Sequence, residues 1–89
     1  MKRIYKVVVT YGWMTENGME YFHDWEFFST KKGYSEWVNR VEGEGLFVDY
    51  ETANAKVYEM KLDCKGRFVE SRGEIDNFNF STNKKAMFV

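Results

Sequence analysis

Residues 3–14 alternate between apolar and polar side chains. The apolar positions share one parity and hold two tyrosines, two valines and a tryptophan: Tyr5, Val7, Val9, Tyr11 and Trp13. An alternation with a period of two is that of a β-strand with one buried face. Because such a strand must bury its apolar face against a second layer, the pattern predicts a β-sheet that is covered on this side.

The segment TENG predicts a turn into a second strand, GMEYFHDWEFF, residues 18–28. The loop length sets the register of the two strands. A two-residue Asn17-Gly18 turn places Val9 opposite Glu26 and Tyr11 opposite Asp24, which sets acids against the apolar positions of the first strand. A three-residue loop, with Gly18 in the left-handed position of a bulge, places Val9 opposite Trp25. We expect the second register, because it gathers the rings of both strands on the buried side.

In the expected register, the other face of the second strand carries three carboxylates and two rings. We call this set the acidic row: Glu20, Phe22, Asp24, Glu26 and Phe28. Alternate side chains of a strand project about 6.6 Å apart on one face. The row therefore predicts a line of negative charge in water on the uncovered side of the sheet. In this register Phe22 lies across from Gly12, where its ring can cover the glycine.

The segment FSTKKGYSEWVNRVEGEG changes period. Its apolar side chains are spaced i, i+3, i+4 and i+7, as on one face of a helix: Tyr34, Trp37, Val38 and Val41. The helix can begin anywhere between Thr30 and Ser35, since either hydroxyl can cap it. A start at Thr30 places Gly33 inside at a cost of about 1 kcal/mol. Gly43 or Gly45 supplies the end.

Short strands are expected to resume after the helix, at residues 46–50, 56–63 and 67–71. The last two form a hairpin whose register can be checked by charge. A two-residue Lys65-Gly66 loop pairs Glu59 with Arg72, whereas a four-residue loop sets Glu59 against Glu70. We expect the two-residue loop because it avoids opposing like charges.

The tail from residue 74 is ambiguous. Phe78 and Phe80 alternate with asparagines, and the chain ends in an apolar run over residues 86–89. We expect loop in the first half and an edge strand at 86–89, which can build a homodimer by strand addition. The sum is one α+β domain over residues 1–89, with an antiparallel sheet of about five strands in ββαβββ order and one helix packed on the ring-rich face.

Charge and cysteine content limit the classes of function. The chain has 13 basic and 14 acidic side chains, and this balance removes the overall positive field expected of a protein held to nucleic acid. Cys64 is the single cysteine, so no internal disulfide can form and a cytoplasmic location fits. No run of 18 uncharged apolar residues spans a membrane, and the N-terminus is expected to be mature structure.

No motif indicates catalysis, a metal or a cofactor. His23 and Asp24 are neighbours in a strand and point to opposite faces, so they cannot act as a base and its orienting group. We expect His23 to be partly buried among Tyr11, Tyr21 and Trp25. One histidine and one cysteine lack zinc-site spacing, and the glycines form no phosphate-binding loop. The chain is therefore expected not to be an enzyme.

The acidic row is the best candidate for a binding surface. A line of carboxylates suits a basic groove, and Phe22 and Phe28 can anchor a complex. In being short and rich in Lys, Asn, Tyr and Phe, the chain resembles the small proteins of phages and other mobile elements. That resemblance implies an inhibitor of a host defence or nucleic-acid-handling complex, as anti-CRISPR proteins are, acting in the host cytoplasm.

Two other functions are weighed against this one. A small-molecule or nucleotide binder would use a pocket where Trp13, Tyr21 or His23 meets the helix or a second subunit. A nucleic-acid-binding sheet would stack bases on exposed rings. We expect no direct nucleic-acid contact, because the rings are expected under the helix and the acids outside.

Overall fold

A computed structural model describes residues 3–82 of the protein. It contains four strands and one helix: β1 (Arg3–Thr15), β2 (Gly18–Phe28), α1 (Lys31–Glu44), β3 (Thr52–Leu62) and β4 (Phe68–Asn79). The strands form one antiparallel sheet in the order β2-β1-β3-β4. The expected α+β class with one helix on an antiparallel sheet is confirmed, but the described chain has four strands in ββαββ order instead of about five.

The core lies between α1 and the middle of the sheet. The helix contributes Tyr34, Val38 and Val41, and the sheet side of the core is mostly small or β-branched: Tyr5, Val7, Val9, Ala53, Ala55, Val57 and Phe80. We call this side of the sheet the helix face and the opposite side the open face. Every buried strand residue of this core belongs to β1 or β3, so β2 lies at the margin of the covered area.

The helix begins and ends where its capping residues predict. Thr30 is the N-cap, and its Oγ1 accepts a hydrogen bond from the Gly33 amide at 2.9 Å. Gly45 is the C-cap with φ 64°, a left-handed conformation that glycine adopts without a steric penalty. The predicted apolar stripe is confirmed, with Trp37 half-buried beside the core.

The register of β1 and β2 differs from both expected registers. Thr15 pairs with Gly18, so the loop consists of Glu16 and Asn17 alone. The Thr15 hydroxyl accepts a hydrogen bond from the Asn17 amide at 3.2 Å and donates one to the Gly18 carbonyl at 2.8 Å. These two bonds close the turn one residue earlier than an Asn17-Gly18 turn, and Gly18 takes a positive φ of 108° after the loop.

This register exchanges the two faces of β2 relative to the prediction. Val9 lies opposite Asp24 and Val8 opposite Trp25, so the acids share the helix face and the large rings lie on the open face. The expectation of Trp25 beneath the helix is wrong, since its side chain is 58% exposed. The cause is the marginal position of β2. Residues 20–27 of this strand are all exposed, so burial does not select its register.

Residues 46–50 form turns instead of the expected strand. The Val48 amide donates to the Gly45 carbonyl and the Tyr50 amide to the Phe47 carbonyl, at 3.3 and 3.1 Å. These turns bring the rings of Phe47 and Tyr50 to 5.2 and 4.9 Å from that of Tyr11, and this packing replaces strand pairing.

The β3–β4 hairpin also has a different loop. Leu62 pairs with Phe68, which leaves five residues in the loop, and the Asp63 carboxylate organises them by accepting from the amides of Lys65 and Arg67 at 2.9 and 2.8 Å. Neither expected loop length is correct. The strand also continues through residues 74–79, where loop was expected. The predicted strand at 86–89, and the dimer built on it, lie outside the described residues.

Candidate functional site

The acidic row is brought together on one face of β2. All five residues of the row, Glu20, Phe22, Asp24, Glu26 and Phe28, lie at alternate positions on the helix face. The three carboxylates are exposed, because α1 covers β1 and β3 and does not reach over this part of β2. Ion pairs between described residues involve none of these three carboxylates. The row is therefore an exposed line of negative charge beside the helix.

Asp24 is the carboxylate of the row that is hydrogen-bonded to a side chain of the neighbouring strand. Its Oδ2 accepts a hydrogen bond of 2.7 Å from the Tyr11 hydroxyl on the neighbouring strand. This bond, together with burial and the Asp24 charge, raises the pKa of Tyr11 to about 12. The position of the Asp24 carboxylate is therefore fixed by a partner on β1.

Each of the two rings of the row is partly exposed and partly packed against other rings. Phe22 packs against Tyr11 and Trp13, with ring centroids 5.7 and 5.6 Å apart, yet 39% of its side chain is exposed. Phe28 is half-buried and lies 5.7 Å from the Trp37 ring. Phe22 thus offers an apolar contact among the acids from a position supported underneath by other rings.

A second row of β2, on the open face, was assigned to the core by the sequence pattern. Tyr21, Trp25 and Phe27 are 56%, 58% and 53% exposed. Lys6 lies next to them with its Nζ 5.9 Å from the Trp25 ring centroid, within reach of a cation–π contact. Because these rings are accessible, ring burial no longer argues against a binding role for the sheet surface.

His23 also lies on the open face and is exposed. The expectation of a partly buried histidine among rings is wrong, for the same reason of register. Its Nδ1 is 3.0 Å from the Thr10 hydroxyl, and the two residues are cross-strand partners. As expected, Asp24 points to the other side of the strand.

Glu59 is a carboxylate whose burial the sequence pattern did not predict. It is 2% exposed and accepts hydrogen bonds from Ser71 Oγ at 2.9 Å and Arg72 at 3.3 Å. Arg3 and Lys61 lie within 4.0 Å. The Ser71 bond, followed by the three cations and opposed by burial, lowers the pKa of Glu59. The predicted Glu59–Arg72 pair thus forms, but as part of a structural network.

The other described side chains that could act as nucleophiles or metal ligands do not form a cluster. Cys64 is a free, exposed thiol in the β3–β4 loop. Within residues 3–82, no three His, Cys, Asp or Glu side chains are grouped closely enough to hold a metal ion. In the same part of the chain, no helix has the length and apolar character needed to cross a membrane.

A concavity of about 320 Å³ lies on the open face and is lined in part by Tyr21. Trp13, His23 and the residues of α1 do not line it, so this concavity differs from the pocket at the helix that a small-molecule binder was expected to use. Comparisons with protein-family models, curated proteins and solved structures found no match to this chain. Its function is therefore inferred from its two exposed surfaces.

Proposed function

We propose that the protein is a small non-enzymatic module that binds a protein partner through the acidic row. The observation that supports this most directly is the line of exposed carboxylates of Glu20, Asp24 and Glu26, which have no cationic partner among the described residues. Like charges held in line repel one another, and a basic surface relieves that repulsion while steering association.

The chemistry of the row favours a particular kind of partner. A regular line of negative charge with a partly exposed ring suits a groove that carries lysine or arginine, as the grooves of nucleic-acid-handling proteins do. We propose that the protein occupies such a groove in a host defence or nucleic-acid-handling complex and blocks it sterically and electrostatically. The phage-like composition supports this finer proposal, and Phe22 supplies its apolar anchor.

The proposal is tested by charge reversal along the row. The variant carries Glu20→Lys, Asp24→Asn and Glu26→Lys, and the Asn at 24 keeps an acceptor for the Tyr11 hydroxyl. The immobilised parent protein is expected to retain basic host proteins that duplex DNA releases by competition. The variant is expected to lose them, with an affinity at least about tenfold lower for each neutralised contact.

A matched control changes the same number of charges elsewhere. Glu44→Lys, Asp49→Asn and Glu70→Lys alter exposed residues outside the row, and this variant is expected to bind as the parent does. Both variants should unfold near the parent temperature, since substitutions at exposed positions without ion pairs change stability little. Equal retention by the row variant and the parent, or equal loss in both variants, would contradict a specific role for the row.

A further inference from the structure

A line of hydrogen-bonding side chains crosses the open face. Thr10 on β1 pairs with His23 on β2 and with Asn54 on β3, and Asn54 pairs with Asn79 on β4. Each of the four strands therefore contributes one polar side chain at the same level of the sheet. We call these four residues the polar line. Residues that are cross-strand partners share a face, so a ligand lying across the strands meets them in succession.

Three residues of this line, Thr10, Asn54 and Asn79, border the concavity of about 320 Å³. Six of its lining residues carry hydroxyl or amide groups, namely Thr10, Tyr21, Thr52, Asn54, Asn79 and Thr82. Glu51 is the one charged residue among the described residues that line it, and no basic side chain does. The volume falls at the lower end of the range occupied by small-molecule sites.

Tyr21 forms one side of the concavity because of the glycine it faces. Gly12 is its cross-strand partner, and a Cβ there would lie 2.9 Å from Tyr21 Cδ1. The absence of a side chain lets the phenol ring lie low against the sheet, where it borders the polar side chains. An aromatic ring next to hydroxyl and amide groups offers a ligand both apolar contact and directional hydrogen bonds.

Several hydrogen-bonding groups of the concavity have no partner among the described residues, although the hydroxyls of Thr10 and Thr82 do have one. The side-chain amides of Asn54 and Asn79 take part in none of the side-chain hydrogen bonds formed between residues 3 and 82, and neither does the Thr52 hydroxyl. Each amide supplies two donors and one acceptor with two lone pairs, and each hydroxyl both donates and accepts.

We propose that this concavity binds a neutral saccharide. A sugar ring presents hydroxyls that match amide and hydroxyl partners, and its C–H face packs on an aromatic ring. A phosphate-bearing nucleotide finds no cation among the described residues that line the concavity, and it meets the Glu51 carboxylate. A purely apolar ligand would leave the Asn54 and Asn79 amides without partners, at a cost for each. The lining thus selects a ligand that is both uncharged and rich in hydroxyls.

The site is independent of the acidic row. Tyr21 and Asn54 point to the open face, whereas the carboxylates of the row lie on the helix face. The charge-reversal variant of the row is therefore expected to keep saccharide binding, and a variant of the concavity is expected to keep the protein partner. Failure of one proposal leaves the other in place.

The test is a titration of the full ¹⁵N-labelled chain followed by NMR. The probes are glucose, galactose, N-acetylglucosamine, maltotriose and cellotriose, each added up to its solubility, with thymidine and an oligothymidylate as comparison ligands. Saturable shifts of the amides around Thr10, Tyr21, Asn54 and Asn79 with at least one saccharide are expected. Asn54→Ala should weaken that binding about tenfold, as loss of a hydrogen-bonding partner predicts.

Asn39→Ala, an exposed asparagine on α1, is the matched control and should bind as the parent does. Asn79→Ala serves as the second site variant where Asn54→Ala alters amides throughout the sheet. The proposal is overturned by the absence of saturable shifts with every saccharide, by unchanged affinity in both site variants, or by a response to the thymidine ligands alone.

Discussion

The Tyr11 hydroxyl donates a 2.7 Å hydrogen bond to the Asp24 carboxylate across the β1–β2 pair. The Tyr11 ring packs against the rings of Phe22, Phe47 and Tyr50. The hydrogen bond therefore connects this group of rings to the middle of the acidic row. This hydrogen bond between the two strands depends on pH, because it exists only while the phenol keeps its proton. The raised pKa of Tyr11, to about 12, expresses that preference for the protonated form.

Stability is expected to fall at high pH through this bond. The folded pKa of Tyr11 lies above the unfolded value of 10.0, so the contribution is complete below pH 10 and is lost as the pH rises through about 12. Tyr34, whose pKa is also raised to about 12 by burial and by Asp76, acts in the same direction. Tyr11→Phe should cost about 0.5–1.5 kcal/mol near neutral pH and reduce the alkaline loss. Urea unfolding measured across this range checks both effects, and an identical alkaline loss in the variant would exclude the Tyr11 bond as its source.

At low pH the buried carboxylate of Glu59 is expected to control stability. Its folded pKa lies below 4.5, so its contribution is present above that value and is lost as the pH falls through the lowered pKa. Glu59→Gln removes the charge that faces Arg3, Lys61 and Arg72, and should lower the melting temperature near neutral pH and flatten its decline on acidification. Thermal unfolding during stepwise acidification measures both. Glu70→Gln, an exposed position on β4, should leave both unchanged; an equal response in the two variants would contradict the role of the network.

The N-cap of α1 provides a test of local stability. Thr30→Ala removes the acceptor of the Gly33 amide and should destabilise the protein by about 1 kcal/mol. Thr30→Ser keeps the oxygen and should restore most of that loss. Chemical denaturation of the three proteins gives the comparison, and a Ser variant no more stable than the Ala variant would show that the hydroxyl is not the cap.

Two glycine-to-alanine changes should have opposite signs. A Cβ at Gly12 would lie 2.6 Å from the Glu20 carbonyl oxygen and 2.9 Å from Tyr21 Cδ1, so Gly12→Ala should destabilise by about 1–3 kcal/mol. A Cβ at Gly43 meets nothing within 4 Å, and Gly43→Ala should stabilise α1 by about 0.5–1 kcal/mol. Equilibrium unfolding measures both. Because the Gly12 contacts depend on the strand register, a neutral Gly12→Ala would contradict that register.

The helix was predictable because its signals are local. The spacing of Tyr34, Val38 and Val41 defines one face, and Thr30 and Gly45 mark the ends within the segment itself. None of these signals depends on how a distant strand is aligned. The same reasoning places the five residues of the acidic row together, since alternate residues of one strand share a face in any register.

The register of β2 was not predictable from burial. The rule that rings go inside presumes a layer over both strands, and α1 covers β1 and β3 while leaving β2 at the margin. The signal that does identify the register is the Thr15 hydroxyl, which closes the Glu16-Asn17 loop. A second signal is the Gly12–Tyr21 pair. A ring covering that glycine was expected, but from Phe22 instead of Tyr21.

The concavity could not be predicted because it depends on long-range pairing. Thr10, Asn54 and Asn79 are far apart in the sequence and meet only through the registers of two strand pairs, β1–β3 and β3–β4. The pattern around residues 74–79 was read as loop, so the contribution of β4 was missing. In the sequence, polar residues on the uncovered side of a strand cannot be told from other surface residues. They form a site only when the strand pairing brings them together.

The outermost place of β2 in the sheet affects how two copies of the chain can meet. Antiparallel joining of two β2 edges about a twofold axis at His23 opposes Glu20 and Glu26, and an axis at Asp24 opposes the two Asp24 side chains. Moving the axis to Phe22 opposes Asp24 and Glu20. Each of these alignments sets carboxylate against carboxylate, which destabilises cross-strand pairs. The edge of β2 therefore disfavours pairing with a second copy of itself. It favours pairing with a strand that carries positive charge.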